Sequence, residues 1–390
     1  MFIKKVKGLK VQDSRGEETI EVEINVKGLG VFYASSPNGK SKGIYEAVSY
    51  KKNIDSDIKA LKGFVGEIKI ENFSDLKNVE EKFKDKIGAN TMIALEYCFL
   101  KALAYRDKKE VWQIINPNAK EFPMPVGNAI GGGKHSPVGK KPDFQEFLFV
   151  PDVESFKTAV DINWYAQKYA KKILRKIDKE FDGSKNDESA WTTTLDNEKV
   201  IKIMLKVRNY IYNKYKVDLR IGSDIASSEF FRGKNYYYAN RKHLRSSKEQ
   251  IDYMAWISKY LFYLEDPIEQ NNFKDFSTLL KKAKGLIVGD DLTVTNLSRV
   301  KKAKKSINAI IIKPNQVGSL IEVSEIVKFC KKNNIKTIFS HRSGETQEDI
   351  LADLAFGFQS DFIKTGIWGW GRKEKLKRLI KIEKSVEKRK

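Results

Sequence analysis

Three carboxylates in this 390-residue sequence each follow a short apolar run: Asp224, Glu265 and Asp290. If the runs are parallel strands, their carboxyl ends meet at one rim, so these side chains would converge. Carboxylate oxygens are the hard ligands that Mg²⁺ prefers. One such residue alone would more often cap a helix or form a salt bridge. Three of them at successive strand ends favour a divalent metal site.

Basic side chains follow other apolar runs. Lys313 and Lys364 stand at strand ends, where a partly desolvated lysine beside another cation can have a lowered pKa and act as a base. Arg342 and Ser343 offer a guanidinium fork and a hydroxyl, which suit phosphate oxygens. His341 precedes them and could donate or accept a hydrogen bond beside the phosphate. The rim is therefore predicted to hold a base and a phosphate contact.

Two Gly-Lys dipeptides lack the rest of a phosphate-binding P-loop. Residues 39–41 read Gly-Lys-Ser, but Ala34 stands where the first glycine is needed. Residues 133–135 read Gly-Lys-His, with Asn128 at the first glycine position. The polar segments 36–43 and 131–139 fit flexible lids over a site and ordinary loops equally well.

The N-terminal part of the sequence has a strand pattern followed by a helix pattern. Residues 19–26 alternate apolar and polar side chains, which predicts one strand of an antiparallel meander. Helical spacing extends over 78–104, and a polar stretch with two prolines at 116–125 is typical of a linker. The pattern predicts a small α+β domain over residues 1–122.

The rest of the sequence alternates short apolar runs with long helical stretches, the pattern of parallel strands with crossover helices. The helical stretches include 153–177, 247–262 and 318–332. Seven runs are visible, and an eighth strand is predicted near Trp191. We therefore predict an α/β fold in which residues 123–390 form a TIM-like (β/α)8 barrel that carries the active site.

Composition limits the class of protein. The chain has 73 Lys and Arg against 51 Asp and Glu, a net charge of +22, so its surface attracts phosphorylated small molecules, nucleic acid or acidic surfaces. Part of the excess lies in residues 371–390, expected as an amphipathic basic helix or a frayed tail. Cys98 and Cys330 are expected to be buried packing residues. The start of the chain lacks a signal-peptide pattern and no long apolar run occurs, which favours a cytoplasmic protein without a membrane span.

Several blocks of the sequence resemble the enolase (phosphopyruvate hydratase) family, as an archaeal-type or divergent member. The most specific are Gly-Asp-Asp-Leu-Thr-Val-Thr-Asn at 289–296 and Ser-His-Arg-Ser-Gly-Glu-Thr at 340–346. Further matching blocks lie at 13–16, 43–47, 145–147, 226–230, 264–267 and 363–366. The resemblance covers nearly the whole chain. It implies a barrel of the enolase type and the reversible dehydration of 2-phosphoglycerate to phosphoenolpyruvate, a step of glycolysis and gluconeogenesis.

The resemblance also implies two Mg²⁺ ions per active site, the second joining with substrate. Asp224, Glu265 and Asp290 match the ligands of the tighter ion, and Ser41 matches the lid serine that joins the second. These ions stabilise the charge that forms when the C2 proton leaves. The family forms homodimers and in some members octamers, which is the assembly expected here.

Catalytic and substrate-binding roles transfer in the same way. Lys313 matches the base at C2, and Glu188 matches the acid that protonates the departing hydroxyl group. Supporting and substrate-binding roles are implied for Glu146, Gln145, His341, His135, Arg342, Ser343 and Lys364: the first three support the acid, His135 belongs to the second lid, Arg342 and Ser343 bind phosphate, and Lys364 contacts the carboxylate.

Departures from the family pattern lie mostly in the lids. Residues 37–43 read Pro-Asn-Gly-Lys-Ser-Lys-Gly where the family usually has Pro-Ser-Gly-Ala-Ser-Thr-Gly, and Asn186 and Ser189 replace glycines beside the acid. They leave open a divergent paralogue with altered or lost activity. The positive charge, with Trp368 and Trp370 near the basic end, leaves open a side activity in binding nucleic acid or an acidic partner.

Overall fold

In the computed structural model of this chain, which describes residues 1–40 and 45–388, the N-terminal part is an antiparallel sheet covered by helices. Its strands, in the order β3-β2-β1-β4, are β1 (Phe2–Gln12), β2 (Glu18–Val26), β3 (Gly30–Ser35) and β4 (Gly66–Glu67). Residues on one face of β2 are buried in alternation, as the sequence pattern predicts. The predicted meander is confirmed.

The helices of this part are α1 (Ile54–Leu61), α2 (Lys77–Phe83), α3 (Ala89–Arg106) and α4 (Val111–Ile115). The prediction of a single helix over 78–104 is wrong, because a turn between α2 and α3 interrupts the helix. Gly88 caps α3 with its Cα against the backbone of Tyr50, where a Cβ would lie 2.4 Å from the Tyr50 Cα. Almost every residue of α3 is buried, including Cys98.

The rest of the chain forms a closed eight-stranded barrel with helices around it. Its strands and those of a small three-stranded sheet inserted after the third barrel strand are β5 (Met124–Gly131), β6 (Glu146–Asp152), β7 (Asp218–Asp224), β8 (Phe231–Arg232), β9 (Asn235–Tyr238), β10 (His243–Ser246), β11 (Tyr263–Glu265), β12 (Leu286–Gly289), β13 (Ala309–Ile312), β14 (Lys336–Ser340) and β15 (Phe362–Lys364). The barrel closes in the order β11-β12-β13-β14-β15-β5-β6-β7. The α/β barrel fold is thereby confirmed.

Helices cover the outside of this barrel. They are α5 (Phe156–Ile177), α6 (Asn197–Tyr215), α7 (Ser247–Ile257), α8 (Phe273–Lys282), α9 (Leu297–Ala303), α10 (Pro314–Val317), α11 (Leu320–Lys332), α12 (Ile350–Gly357) and α13 (Lys373–Glu387). The basic C-terminal stretch forms α13, whose Leu376, Leu379 and Ile382 are buried. Among the described helices, none combines the length and apolarity that a membrane span needs.

The predicted position of the eighth strand is wrong. It is β5, at the end of the proposed linker, whereas Trp191 makes only isolated bridges to Ile130 and Lys185. The sequence of β5, Met-Pro-Val-Gly-Asn-Ala-Ile-Gly, has no continuous apolar run. Gly127 is required because a Cβ there would lie 2.5 Å from the Cγ1 atom of Ile367. The close approach of the β5 backbone to its neighbours thus requires a glycine, and β5 lacks the run of apolar side chains that marks the other barrel strands.

One barrel strand runs against the predicted direction. β6 is antiparallel to both β5 and β7, so the expectation of parallel strands throughout is wrong. A parallel strand needs a crossover that returns to the other end of the sheet, usually a helix. Residues 132–145 contain only a three-residue 3₁₀ turn, Gly133–His135, and stay at the mouth. The start of β6, rather than its end, therefore lies at the rim.

Apolar side chains from different strands fill the barrel interior. They include Val126, Leu148, Tyr263, Val288 and Ile338, all buried. This layer closes the barrel below the mouth, as is usual for such barrels. Polar side chains at the strand ends above it therefore face one another over an apolar floor.

Candidate active site

The strand register brings the three predicted metal-binding carboxylates together. Glu265 is the direct partner of Asp224 across the β11–β7 pair. On its other side Glu265 pairs with Val288, and Asp290 follows β12 two residues further on. All three side chains belong to buried residues. The sequence-based expectation that they converge agrees with this geometry.

The ammonium group of Lys364 lies among these carboxylates. Its Nζ atom is 2.9 Å from Glu265, 3.3 Å from Asp224 and 3.3 Å from Glu146. Burial opposes its charge, but the three carboxylates outweigh burial and raise the pKa of Lys364 well above its usual value. Burial and the neighbouring Asp224 raise the pKa of Glu265 to about 8. Lys364 thus supplies the counter-charge of the cluster.

Lys313 forms an ion pair with Asp290. Burial lowers the pKa of Lys313, but the charge of Asp290 outweighs burial and the repulsion from Arg342, and the net direction is upward. The expected lowering of this pKa is therefore wrong for the arrangement described. The partner carboxyl group, Asp290, is affected in the opposite direction. Burial would raise its pKa, but Lys313 and Lys364 hold the pKa of Asp290 below its usual value.

Strained backbone fixes the position of Lys313. Val294 and Thr295 both have positive φ, +42° and +49°, which is unfavourable for β-branched residues. This conformation presents the Thr295 Oγ1 atom, which accepts a hydrogen bond from the Lys313 backbone N–H at 2.9 Å. The same hydroxyl donates to Gln316 at 2.8 Å. The specific block at 289–296 therefore orients the candidate base.

A second cluster lies across the mouth and consists of His135, Glu146 and Glu188. The His135 Nδ1 atom is 3.6 Å from a carboxylate oxygen of each glutamate. Burial and repulsion from Glu188 raise the pKa of Glu146 well above its usual value. Burial also acts on Glu188, but His135 and His341 outweigh it and lower its pKa. The first proton of this pair therefore belongs to Glu146, while Glu188 is charged.

His341 and Asn128 complete the surroundings of Glu188. The His341 Nε2 atom is 3.8 Å from a Glu188 oxygen, and the Asn128 side-chain amide donates to the other oxygen at 3.0 Å. Burial lowers the pKa of His341 well below its usual value, and the charge of Glu188 opposes that effect. Gln145, the residue before Glu146, donates to Asp224 at 3.2 Å.

The candidate phosphate contacts are held by other residues. The Arg342 guanidinium donates to the Glu46 carboxylate at 3.0 and 3.2 Å and to Asn315 at 3.0 Å. The Ser343 Oγ atom accepts hydrogen bonds from Arg15 at 2.8 Å and from the Lys40 backbone at 2.9 Å. Both lie at the mouth, and Glu46 was not singled out from the sequence as a site residue.

The carboxylates fit a divalent cation. The Asp290 Oδ1 atom is buried and has no hydrogen-bond partner among residues 1–40 and 45–388. Asp266, Asp290 and Asp291 each have an oxygen within 4.8 Å of the others. Burial and the charge of Asp290 raise the pKa of Asp291 to about 7. An excess of hard oxygen donors around an unpartnered carboxylate is what a divalent cation requires.

Sequence reasoning missed Asp266 and Asp291 as site residues. Both line the mouth, and Asp266 accepts backbone hydrogen bonds from Asp290 at 3.1 Å and Asp291 at 2.6 Å. The available signal was the acidic doublets at 265–266 and 290–291. Ser41, the predicted second-metal ligand, lies outside the described residues.

The mouth is narrow. It encloses about 50 Å³ between side chains that include Lys313, Arg342 and Lys364, which is less than a small-molecule site usually provides. A substrate must therefore displace side chains from their present partners.

Comparison with known proteins agrees with this fold. Residues 119–390 match the family described as "Enolase, C-terminal TIM barrel domain", and residues 3–115 match "Enolase, N-terminal domain". An enolase of Pyrobaculum aerophilum is 36% identical over 96% of this chain and 94% of its own length. Enolases of Archaeoglobus fulgidus and Picrophilus torridus are each 35% identical, over 100% and 97% of this chain and 98% and 97% of their own lengths.

Proposed function

The chain belongs to the enolase family and has its hydro-lyase activity, that of a phosphopyruvate hydratase, and we propose that the barrel mouth carries out this reaction with the residues described above. The substrate is the phosphorylated three-carbon acid 2-phosphoglycerate. The observation that carries the assignment of roles is the convergence of two lysines and four carboxylates on one apolar floor: Lys313 on Asp290, and Lys364 among Glu146, Asp224 and Glu265.

Lys313 is the proposed base. Its amine removes the C2 proton, so it must be neutral when the substrate is in place. We assign the metal as Mg²⁺, held by Asp224, Glu265 and Asp290, and when bound it supplies positive charge that stabilises the dianionic carboxylate left by loss of that proton. Lys364 lies beside these carboxylates and is proposed to contact the substrate carboxylate.

Glu188 is the proposed acid for the departing C3 hydroxyl group. It is charged in the arrangement described, and its neighbour Glu146 is the carboxyl with the raised pKa. We propose that the two carboxyls hold one proton between them, as closely spaced buried carboxyls do. His135 contacts both and orients them, and His341, which follows β14, supports Glu188 from 3.8 Å away.

Arg342 and Ser343 are the proposed phosphate contacts. The substrate phosphate would replace Glu46 at the guanidinium, because a phosphate carries more charge than a carboxylate and accepts the same two-pronged hydrogen bonds. Gln145 would bind the substrate from the Asp224 side of the mouth. These contacts fix the substrate with C2 toward Lys313.

Four finer assignments belong to the same proposal. A second Mg²⁺ joins with the substrate through Ser41. The chain forms a homodimer, of which the octamer is the larger alternative, and acts in the cytoplasm. The division of the chain into an N-terminal domain of residues 1–122 and a catalytic domain of residues 123–390 also remains a proposal.

Substitution of Lys313 tests the assignment. With Mg²⁺ and 2-phosphoglycerate, Lys313→Ala is expected to form phosphoenolpyruvate, followed by its ultraviolet absorbance, at least about 10³-fold more slowly, in the range that general-base catalysis contributes. Lys304→Ala, at an exposed position after α9, is the matched control and should keep full activity. EDTA should abolish product formation by the wild-type chain. If the folded, Mg²⁺-binding wild-type chain forms no product, the divergent-paralogue alternative replaces this proposal.

A further inference from the structure

Helices α5 and α6 carry an unusual amount of uncompensated positive charge on the outside of the barrel. Residues 156–177 and 197–216 contain twelve Lys and Arg residues against two carboxylates, Asp161 and Glu198. Asp161 is paired with Lys157 at 2.6 Å, and Glu198 is paired with Arg241. Lys199 pairs with Asp196 at 3.9 Å. The other ten cations form no ion pair with any residue in 1–40 or 45–388.

Tyrosines form a ladder between the two antiparallel helices. Tyr169 stacks on Tyr210 with ring centroids 3.6 Å apart and planes 7° apart. One helical turn away, Tyr165 stacks on Tyr215 at 5.1 Å and 12°. Lys214 lies beside both pairs, with its Nζ atom 5.6 Å from the centre of the Tyr210 ring and 5.1 Å from that of Tyr215. Aromatic surface and positive charge thus lie side by side along one line.

This line faces away from the active site. On α5, Asn163 and Gln167 face the barrel wall and the loop beside it, where their side chains donate to backbone oxygens of Pro125 and Ser189. Tyr165 and Tyr169 each follow two residues later, which is about 200° around a helix. Beside them lies an open groove of about 780 Å³ whose lining includes Tyr169, Lys176, Lys206, Asn209, Tyr210 and Lys214. We call this surface the tyrosine groove.

We propose that the tyrosine groove binds single-stranded nucleic acid. Lysines without an ion-pair partner neutralise a phosphate backbone, and none of the described residues that line the groove is a carboxylate. The Tyr169 and Tyr210 rings line the groove and the exposed Tyr165 lies one helical turn away, so the ladder offers aromatic surface on which unpaired bases stack. A duplex has no free base faces, and an acidic polypeptide has no rings that require such stacking. The observations therefore favour a single strand over both.

The C-terminal basic helix is a poorer candidate than its sequence indicates. Lys375 is buried against Glu345 at 2.6 Å, and Arg378 pairs with Asp353 at 2.6 Å. Part of the charge of α13 is therefore used to attach that helix to the barrel. Among the described residues, α5 and α6 together carry more cations without an ion-pair partner than α13 does.

The test measures binding of a fluorescein-labelled U20 RNA by anisotropy, with the full chain at 50 to 300 mM salt. The groove variant carries Lys176→Glu, Lys206→Glu and Lys214→Glu. The control variant carries Lys301→Glu, Lys304→Glu and Lys305→Glu, three exposed lysines around the end of α9 with the same change in net charge. Enolase activity serves as the check that both variants fold, because none of the six lysines lies at the mouth.

We expect the groove variant to bind U20 more than roughly tenfold more weakly at 50 mM salt, with a salt slope reduced by about two, since each contact to a single strand contributes about 0.7. The control variant should lose far less. Tyr165→Ala should weaken U20 binding and leave the salt slope unchanged.

Three results would overturn the proposal. Equal losses in the groove and control variants would show attraction by net charge alone. Equal affinity for a 20-base-pair duplex would remove the single-strand assignment. Competition by poly-L-glutamate as effective as that by unlabelled U20, at equal total charge, would identify an acidic polypeptide as the occupant instead. Enolase activity is measured separately, so failure here is distinguishable from failure of the proposed catalytic roles.

Discussion

At the scale of single residues, Lys40 shows how a departure from the family pattern acquires a partner. Its Nζ atom is 3.6 Å from Asp187, the neighbour of the proposed acid Glu188. Both Asp187 carboxylate oxygens are buried without a hydrogen-bond partner among the described residues. The lysine therefore connects the first lid segment to the loop that holds the acid. Half of its side chain is exposed, so solvent screens the pair.

Lys40→Ala should raise the KM for 2-phosphoglycerate by up to about fivefold, because a partly exposed ion pair contributes about 0.2–1 kcal/mol. The difference from wild type should shrink at high salt. Steady-state kinetics at 0.05 and 0.5 M KCl measure both effects. Lys51→Ala, which removes an exposed lysine paired with Asp85, is the control. A KM change that is independent of salt would show that the pair does not act electrostatically.

At the scale of elements, a buried carboxyl joins α3 to α11. Glu96 is fully buried in α3 and accepts a hydrogen bond from the backbone N–H of Leu320, the first residue of α11, at 3.0 Å. Ser319 donates to the nearby Glu80 at 2.6 Å. Burial, together with repulsion from Glu80, raises the pKa of Glu96 well above its usual value. The N-terminal part and the barrel thus meet at a carboxyl that favours its protonated form.

The raised pKa of Glu96 fixes the sign of its effect on how stability depends on pH. Below the unfolded-state pKa of about 4.3, Glu96 is protonated in both states and contributes no pH dependence. Above it the unfolded chain releases the proton first, so rising pH destabilises the folded state by up to about 1.4 kcal/mol per unit until the folded pKa is reached.

Glu96→Gln removes this titration, so its stability relative to wild type should rise between pH 5 and pH 7. Urea unfolding at the two pH values measures the difference. Glu81→Gln, at an exposed position of α2, is the control and should show almost none. A Glu96→Gln difference that stays constant with pH would contradict the argument.

At the scale of the whole molecule, the carboxylates gathered at the barrel mouth contrast with the positive net charge of the chain. The chain carries +22, yet the barrel mouth concentrates carboxylates around Lys364 and Lys313. These carboxylates come from β7, β11 and the turn after β12, so their repulsion acts between strands that must pair for the barrel to close. A divalent cation at the mouth would stabilise the fold as well as the reaction.

Addition of Mg²⁺ should therefore raise the free energy of unfolding by about 2.7 kcal/mol at a concentration 100 times the Kd. Thermal denaturation with MgCl₂, compared with NaCl of equal ionic strength, measures this gain. Asp290→Asn should lose most of it, while Asp85→Asn, in the N-terminal part, should keep it. An equal gain in both variants would place the stabilising ion elsewhere.

Much of this protein is determined by local sequence. Alternation along residues 19–26 reports which side chains of β2 are buried, because a strand exposes its faces in turn. Polar residues directly after apolar runs mark the rim, since a strand that passes through a packed interior carries its first polar side chain where it emerges. Asp224, Glu265, Asp290, Lys313 and Lys364 were identified on that basis, and the structure places all five at one mouth.

Tertiary structure decided what depends on distant residues. The direction of β6 follows from how residues 132–145 fold over the mouth, and periodicity is the same for either direction. The strand β5 was not predicted, because its Gly127 packs against Ile367 and that residue is far away in sequence. The pKa of Lys313 rises because Asp290 lies against it, and a sequence does not give that distance. Local sequence patterns indicate which residues are buried. Strand direction, close backbone contacts and the balance of charges depend instead on the neighbours that folding brings together.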